Sequence, residues 1–255
     1  MEAQFEALSE LAKNGGSLSF TQDFFVKFYQ AFLYSDRWLQ YIEGVGTTIL
    51  VTAIALVLGV VLGSVVALVR VAHDQQKPHH RNPVLGFVNV ICQIYATVIR
   101  GTPTMIQLLI MYFIIFGSVK IDKVPVAILA FGINSGAYVA EIFRSGIMSI
   151  PPGQMEAARS LGLNYTQATW KIILPQAVKN VLPALGNEVI VLLKETSISG
   201  YIALQDLTKA GDIVRSRTYS PFFPYISVAL MYLALVLVLE KLLGYMEGRL
   251  ARSDR

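Results

Sequence analysis

The chain has 255 residues, of which 54% are hydrophobic and only 15% charged, with a formal net charge of +4. An ordinary soluble domain is nearer a quarter charged, so this balance points away from a water-soluble globule and to lipid. Cys92 is the one cysteine, which excludes a disulfide framework within the chain. The basic residues lie beside apolar runs, so they read as topology signals and not as a nucleic-acid face.

In chain order, the acidic, mixed start MEAQFEALSELAKNGG lacks the basic and compact apolar regions of a cleaved signal peptide. The first true span is therefore expected to act as its own insertion signal. Residues 22–43 are rich in aromatics with interleaved charges and predict an amphipathic helix at the outer interface. A bilayer core needs about 20 mostly apolar residues per helix. Segment 44–69 meets this without a charge. Segment 82–117 exceeds one straight span and is interrupted by Arg100, Gly101 and Pro103, so it is either one kinked helix or two short ones. Segments 124–143, 181–204 and 221–246 complete a count of five, the fourth with Glu188, Lys194 and Glu195 embedded.

Segment 70–81, residues 144–180 and the tail are basic, whereas residues 1–43, 118–123 and 205–220 balance acids against bases. The positive-inside rule puts the basic groups in the cytoplasm, with the N-terminus outside and the C-terminus inside. Six spans would put both ends on one side, which the charges oppose. The expected organisation is an extracytoplasmic segment 1–43, a membrane domain 44–247 containing a cytoplasmic loop 150–175, and a cytoplasmic tail 248–255.

That loop is polar, punctuated by glycine and bounded by proline. Pro151, Pro152 and Gly153 stop the third span; Glu156–Leu161 favours a short helix, with Gly162 placed to cap it. Asn164 or Thr166 can start a second helix, and Pro175 and Pro183 punctuate the return to the membrane. A helix-turn-helix with one small apolar face can plug a cleft on another protein, or be an ordinary loop; its shape does not name a partner.

Charged side chains at bilayer depth line a cavity or pair with one another. Arg100 can receive a carboxylate through a bidentate contact, or pair with Glu188 or Glu141. Glu188, after Asn187, is the candidate to meet an ammonium or other cation. Gln107, Asn134 and Ser135 can supply neutral hydrogen bonds or pack between helices. Glu141 and Arg144 form an i,i+3 structural pair, and Lys194 with Glu195 suits a span end or gate. Gly59/Gly63 and Gly132/Gly136 permit close helix approach, within the chain or at a dimer seam, with packing favoured. No carboxylate or thiol ligand cluster accompanies His73, His79 and His80, which read as a solvated basic loop, so no metal site is expected. No GxxxxGK[ST] phosphate cradle occurs, and no nucleophile–base or paired-carboxylate constellation appears at catalytic spacing.

Glu156-Ala157-Ala158, three residues, Gly162, nine residues, Ile172, one residue, then Leu174-Pro175 resembles without gaps the EAA loop of importer permeases in the ATP-binding cassette (ABC) superfamily. RGTPTMIQLLIMYF (100–113), SGAYVAEIFRSGI (135–147) and LPALGNEVIVLLKETSI (182–198) are similar to its polar amino acid branch. The resemblance covers roughly residues 44–247 and implies an all-α type I importer permease. Two such subunits, copies or paralogues, would form the path. Separate ATPases, which bind ATP and Mg, would grip the EAA loops, and an extracytoplasmic binding protein or domain would deliver the solute. On that reading the chain is not itself an enzyme. Glu156, Ala157, Ala158, Gly162, Ile172, Leu174 and Pro175 would couple to the ATPase; Arg100, Gln107, Asn134, Asn187 and Glu188 would line the path. A self-sufficient channel or secondary carrier would explain the embedded charges but not the EAA spacing.

Overall fold

The computed structural model describes residues 1–76 and 82–252, and all regular structure among them is helical. The helices are α1 (Glu2–Lys13), α2 (Phe20–Phe32), α3 (Arg37–Asp74), α4 (Pro83–Arg100), α5 (Thr104–Leu109), α6 (Lys123–Met148), α7 (Pro152–Ser160), α8 (Tyr165–Ala168), α9 (Leu174–Glu195), α10 (Leu207–Thr218) and α11 (Phe222–Arg252). His79, His80 and Arg255, which the sequence assigns to basic cytoplasmic segments, lie outside the described residues.

Two compact units emerge: Met1–Ile49 with Ser197–Leu235, and Leu50–Thr196 with Val236–Arg255. In the first unit α1 lies on α2, with the Phe5 and Tyr29 rings stacked at 4.5 Å over buried Val26. The Ser19 amide donates to Gln22 Oε1 at 2.9 Å and closes the start of α2. Asp206 caps α10, accepting from the amides of Thr208 at 3.2 Å and Lys209 at 2.9 Å. Its burial pushes the Asp206 carboxyl above the ordinary value, while those amide bonds pull it down. Thr48 Oγ1 accepts the next free amide, that of Leu207, at 3.2 Å.

The amphipathic helix expected over 22–43 is two elements. α2 ends at Phe32, and Ser35 and Asp36 adopt left-handed φ of 55° and 51°. From Arg37 the chain has no breaker, so the helix that contains span 44–69 starts seven residues earlier than its apolar run and continues to Asp74. At about 1.5 Å per residue its 38 residues reach well beyond a bilayer core of about 30 Å.

Among the described residues, four helices are by length and composition apolar enough to cross a membrane: Tyr34–Asp74, Pro83–Arg100, Lys123–Met148 and Phe222–Arg249. The expected count was five. Segment 82–117 resolves into two helices, the second short, because Gly101-Thr102-Pro103 ends α4 and Pro103 starts α5. The fourth expected span, 181–204, is displaced: α9 has 22 residues, but Lys179, Glu188, Lys194 and Glu195 dilute its apolarity, and a 3-10 stretch replaces it from Thr196 to Ile202.

In the second unit α6 is the centre. About three-fifths of its apolar window is buried, against about a tenth for α4, so its neighbours wrap it and face outward themselves. α9, α4 and α5 pack on it. α3 reaches it through glycines. A Cβ on Gly59 would stand 2.9 Å from the Ser135 side chain, one on Gly63 2.7 Å from Val139 and 2.8 Å from the Ala140 backbone, and one on Gly132 2.6 Å from Leu58. The GxxxG spacings are therefore intrachain packing devices. Replacing Gly63 by Leu is expected to force α3 from α6 and destabilise the protein by about 1–3 kcal/mol. Gly86→Ala, in α4 with nothing within 4 Å, is expected to be neutral or slightly stabilising. Thermal melts of both variants in detergent test the contrast, and equal midpoints would refute it.

Candidate functional site

The polar hairpin after α6 is rigid for local reasons. Pro152 occupies the first turn of α7, where its missing N–H leaves nothing unpaired. Gly162 ends the helix at φ +87°, a left-handed conformation that suits glycine. Its amide donates to Arg159 O at 3.0 Å and that of Leu163 to Ala158 O at 3.2 Å, the paired closure of a helix C-terminus. Asn164 caps α8: its Oδ1 accepts from the Gln167 amide at 2.8 Å and its own amide donates to Gln167 Oε1 at 3.0 Å. Ala158 and Ala168 are buried between the two arms.

Glu156, Ala157, Gly162 and Pro175 are exposed on this hairpin; Ile172 and Leu174 are half-buried. Leu161 and Trp170 are 85% and 67% exposed, an apolar pair that sequence reading passed over. The signal was there: Leu161 adjoins the capping glycine, where its side chain cannot follow the buried face of α7. Pro175 and Pro183, read as punctuating the return to the membrane, both lie within α9, the first in its opening turn. A π-helical turn over Thr169–Ile173 precedes Pro175 and accommodates its ring, and α9 runs through Pro183. The Tyr165 hydroxyl reaches Gln75, just past the end of α3.

Deeper in the same unit, Glu188 is buried and accepts from Ser135 Oγ at 2.8 Å. Asn134 Nδ2 donates to Gln107 Oε1 at 2.9 Å. Gln107 Nε2 in turn donates to Ile99 O at 2.7 Å and to Thr102 O at 3.1 Å, carbonyls left open where α4 breaks. Gln107 and Asn134 thus hold the helix break together. Asn187 is exposed and, a residue along the helix, faces away from Glu188.

Glu141 gathers three arginines. Its Oε1 lies 2.6 Å from Arg144 Nη2; its Oε2 lies 2.9 Å from Arg70 Nη1 and 3.6 Å from Arg100 Nη1. Arg144 also approaches Asp74 at 3.6 Å. Arg100 pairs with Glu141 and not with Glu188, and it lies over the Tyr138 ring at 5.6 Å. Arg70 was legible only as a topology charge; it sits on the helical end of α3, not in the loop. A cleft of about 530 Å³ is lined by Arg70, Gln93, Thr97, Arg100, Tyr138 and Glu141. A second, of about 580 Å³, shares Arg100, Tyr138 and Glu141 and extends to Asn180 and Glu188. No cluster of three metal-ligating side chains occurs among the described residues.

Long apolar helices around a charged cleft, with a capped polar hairpin between two of them, define a multi-pass membrane transport component. Residues 84–252 match the family described as binding-protein-dependent transport system inner membrane component. The chain belongs to this family. It is 34% identical over 229 residues, 89% of this chain and 97% of the relative, to a putative glutamine transport system permease protein (GlnP) of Rickettsia typhi. It is 35% identical to the arginine transport system permease protein (ArtQ) of Bacillus subtilis, covering 84% of this chain and 93% of the relative. A solved structure described as an amino acid ABC transporter with histidines superposes with a TM-score of 0.74 at 40% identity, covering 86% of this chain and 98% of that one.

Removing the Glu141 carboxylate would leave Arg70, Arg100 and Arg144 facing one another with only Asp74 near. Glu141→Gln is expected to lower stability by roughly 1–3 kcal/mol, below the value for a fully buried pair because all four side chains keep some solvent. An unchanged melting midpoint in detergent would show that the cluster holds nothing.

Proposed function

We propose that this chain is the permease subunit of an ATP-driven importer for polar amino acids, coupled through the 150–175 hairpin to separate ATPase subunits that bind ATP and Mg²⁺. The observation that carries the reading is the hairpin itself: a short helix closed at its C-terminus by Gly162, a second helix capped by Asn164, and Glu156, Ala157, Leu161 and Trp170 exposed along it. Such a knob can be gripped without deforming: Ala157 allows close approach on the exposed side, and Glu156 can pair with a basic partner. The similarity to glutamine and arginine permeases supports an amino acid as solute. It leaves the side-chain charge open.

The accompanying proposals follow the charges and the fold. Residues 1–43 lie outside the membrane and 44–247 form the membrane domain; the N-terminus faces out and the tail 248–255 faces the cytoplasm. A second permease copy or paralogue completes the path, and an extracytoplasmic binding protein or domain supplies the solute. Within the chain, the cleft from Arg100 to Glu188 is the path wall, with Gln107 and Asn134 shaping it at the helix break and Asn187 on the adjoining face.

Two variants test the coupling. Gly162→Asp puts a side chain on a left-handed residue with open space around it, so strain falls on the cap and not on packing. It is expected to abolish most ATP-dependent uptake while the permease remains folded in the membrane. Leu161→Asp with Trp170→Asp is expected to weaken co-purification of the ATPase about tenfold or more. Normal uptake by either variant, or solute flux through the permease reconstituted without an ATPase, would overturn the reading in favour of a self-sufficient channel or carrier.

A further inference from the structure

Glu141 has two oxygens, and each already accepts a close guanidinium: Arg144 at 2.6 Å and Arg70 at 2.9 Å. Arg100 approaches the second oxygen only to 3.6 Å, and among the described residues its fork makes no hydrogen bond. Its side chain keeps 42% of its exposure and lines both clefts. Three guanidiniums (Arg70, Arg100, Arg144) face two carboxylates (Glu141, Asp74), so the cluster carries one positive charge in excess, and Arg100 is the member with donors to spare.

We propose that Arg100 is the carboxylate-reading residue of the permease, so that the membrane subunit itself selects solutes bearing an α-carboxylate. This rests on the reading of the cleft as the solute path and adds the part of the solute that is recognised. The planar fork suits a carboxylate bidentately, and the Tyr138 face beneath it holds the guanidinium in one orientation. A single surplus charge matches a monoanion. Docking there breaks neither short bond of Glu141, so the scaffold of α3 and α6 is undisturbed. The second cleft runs from Arg100 to Glu188, which places a cation at one end and a carboxylate at the other, the polarity of an amino acid zwitterion.

The test uses the permease with its ATPase partners in nanodiscs and measures equilibrium binding of radiolabelled L-glutamine and L-arginine. The competitors are L-glutamine α-amide and agmatine, which keep the amine and side chain but lack the carboxylate. For the wild type, each competitor is expected to bind about 10-fold to 100-fold more weakly than its parent amino acid, the range for losing a charge-assisted hydrogen-bonded pair. Arg100→Gln is expected to erase that preference; Arg100→Lys, which keeps the charge and loses the fork, is expected to retain part of it. Melting midpoints and monodispersity report folding, and if Arg100→Gln fails to fold, the wild-type competition and Arg100→Lys decide. A wild type indifferent to the carboxylate, or a folded Arg100→Gln or Arg100→Lys with the full preference, overturns the proposal while leaving amino acid import standing. A wild-type complex that neither binds nor imports glutamine, arginine or any other polar L-amino acid overturns both.

Discussion

The close approach of α3 and α6 is the constraint from which the polar architecture follows. Gly59 and Gly63 present bare backbone to Ser135, Val139 and Ala140, and Gly132 accepts Leu58 in the same way. With side chains at those positions the axes would separate, since the nearest atoms include the Ala140 backbone, which cannot rotate away. Two helical turns beyond Gly63 comes Arg70, and directly after Ala140 comes Glu141. The 2.9 Å contact between them is therefore a consequence of glycine packing one turn or two away. Ser135, pressed against Gly59, turns its hydroxyl to Glu188 on α9 and so brings a third helix into register. Apolar contact sets the distances, and the charged groups then use them; a buried ion network alone gives little net stability.

The second constraint is a broken helix. Gly101-Thr102-Pro103 interrupts an apolar run and leaves the last carbonyls of α4 without helical partners. Gln107 supplies the missing donors to Ile99 and Thr102, and Asn134 fixes the Gln107 amide in the orientation this requires. The break ends α4 at Arg100, so the guanidinium projects from a helix terminus into open cleft and not from a continuous lipid-facing surface. The Gln107 amide and the Asn134 Nδ2 are engaged in this repair, which fixes the helix break beside the cleft.

Much of this was legible in the sequence, and what was missed has physical causes. The hairpin was readable because proline, glycine and asparagine act locally: Pro152, Gly162 and Asn164 each do in the fold what their chemistry dictates within three or four residues. The small-residue spacing was readable as packing, though not which atoms it would meet. Helix limits were less so. Apolarity marks 44–69, but helix propensity has no reason to stop there, and α3 begins at Arg37. Pro175 and Pro183 mark the return to the membrane in sequence, but they do not show that a π-helical turn precedes the first and that α9 runs through the second. Arg70 illustrates the remaining gap. Sequence gives its charge and its nearness to a span end, but the partner is 71 positions away, on another helix. Only the fold brings three arginines to one carboxylate.

Continuity between hairpin and cleft completes the physical picture. From Tyr165 to Glu195 the chain stays helical through α8, the π-helical turn and α9, about 45 Å at 1.5 Å per residue. Glu188 lies on that same rod, as do Ile172, Leu174 and Pro175. A force applied to the capped knob at Gly162 cannot dissipate in a flexible connection, because the connection is hydrogen-bonded throughout except where Pro175 and Pro183 lack their donors. Those two prolines are the compliant points, and the wider turn at 169–173 sits immediately before the first. On the proposed reading, a partner that closes on the hairpin moves a lever whose far end carries Glu188, and Glu188 is tied to Ser135 on α6. A mechanical input at the hairpin therefore reaches the packed centre of the unit and the cleft that Glu188 and Glu141 both line.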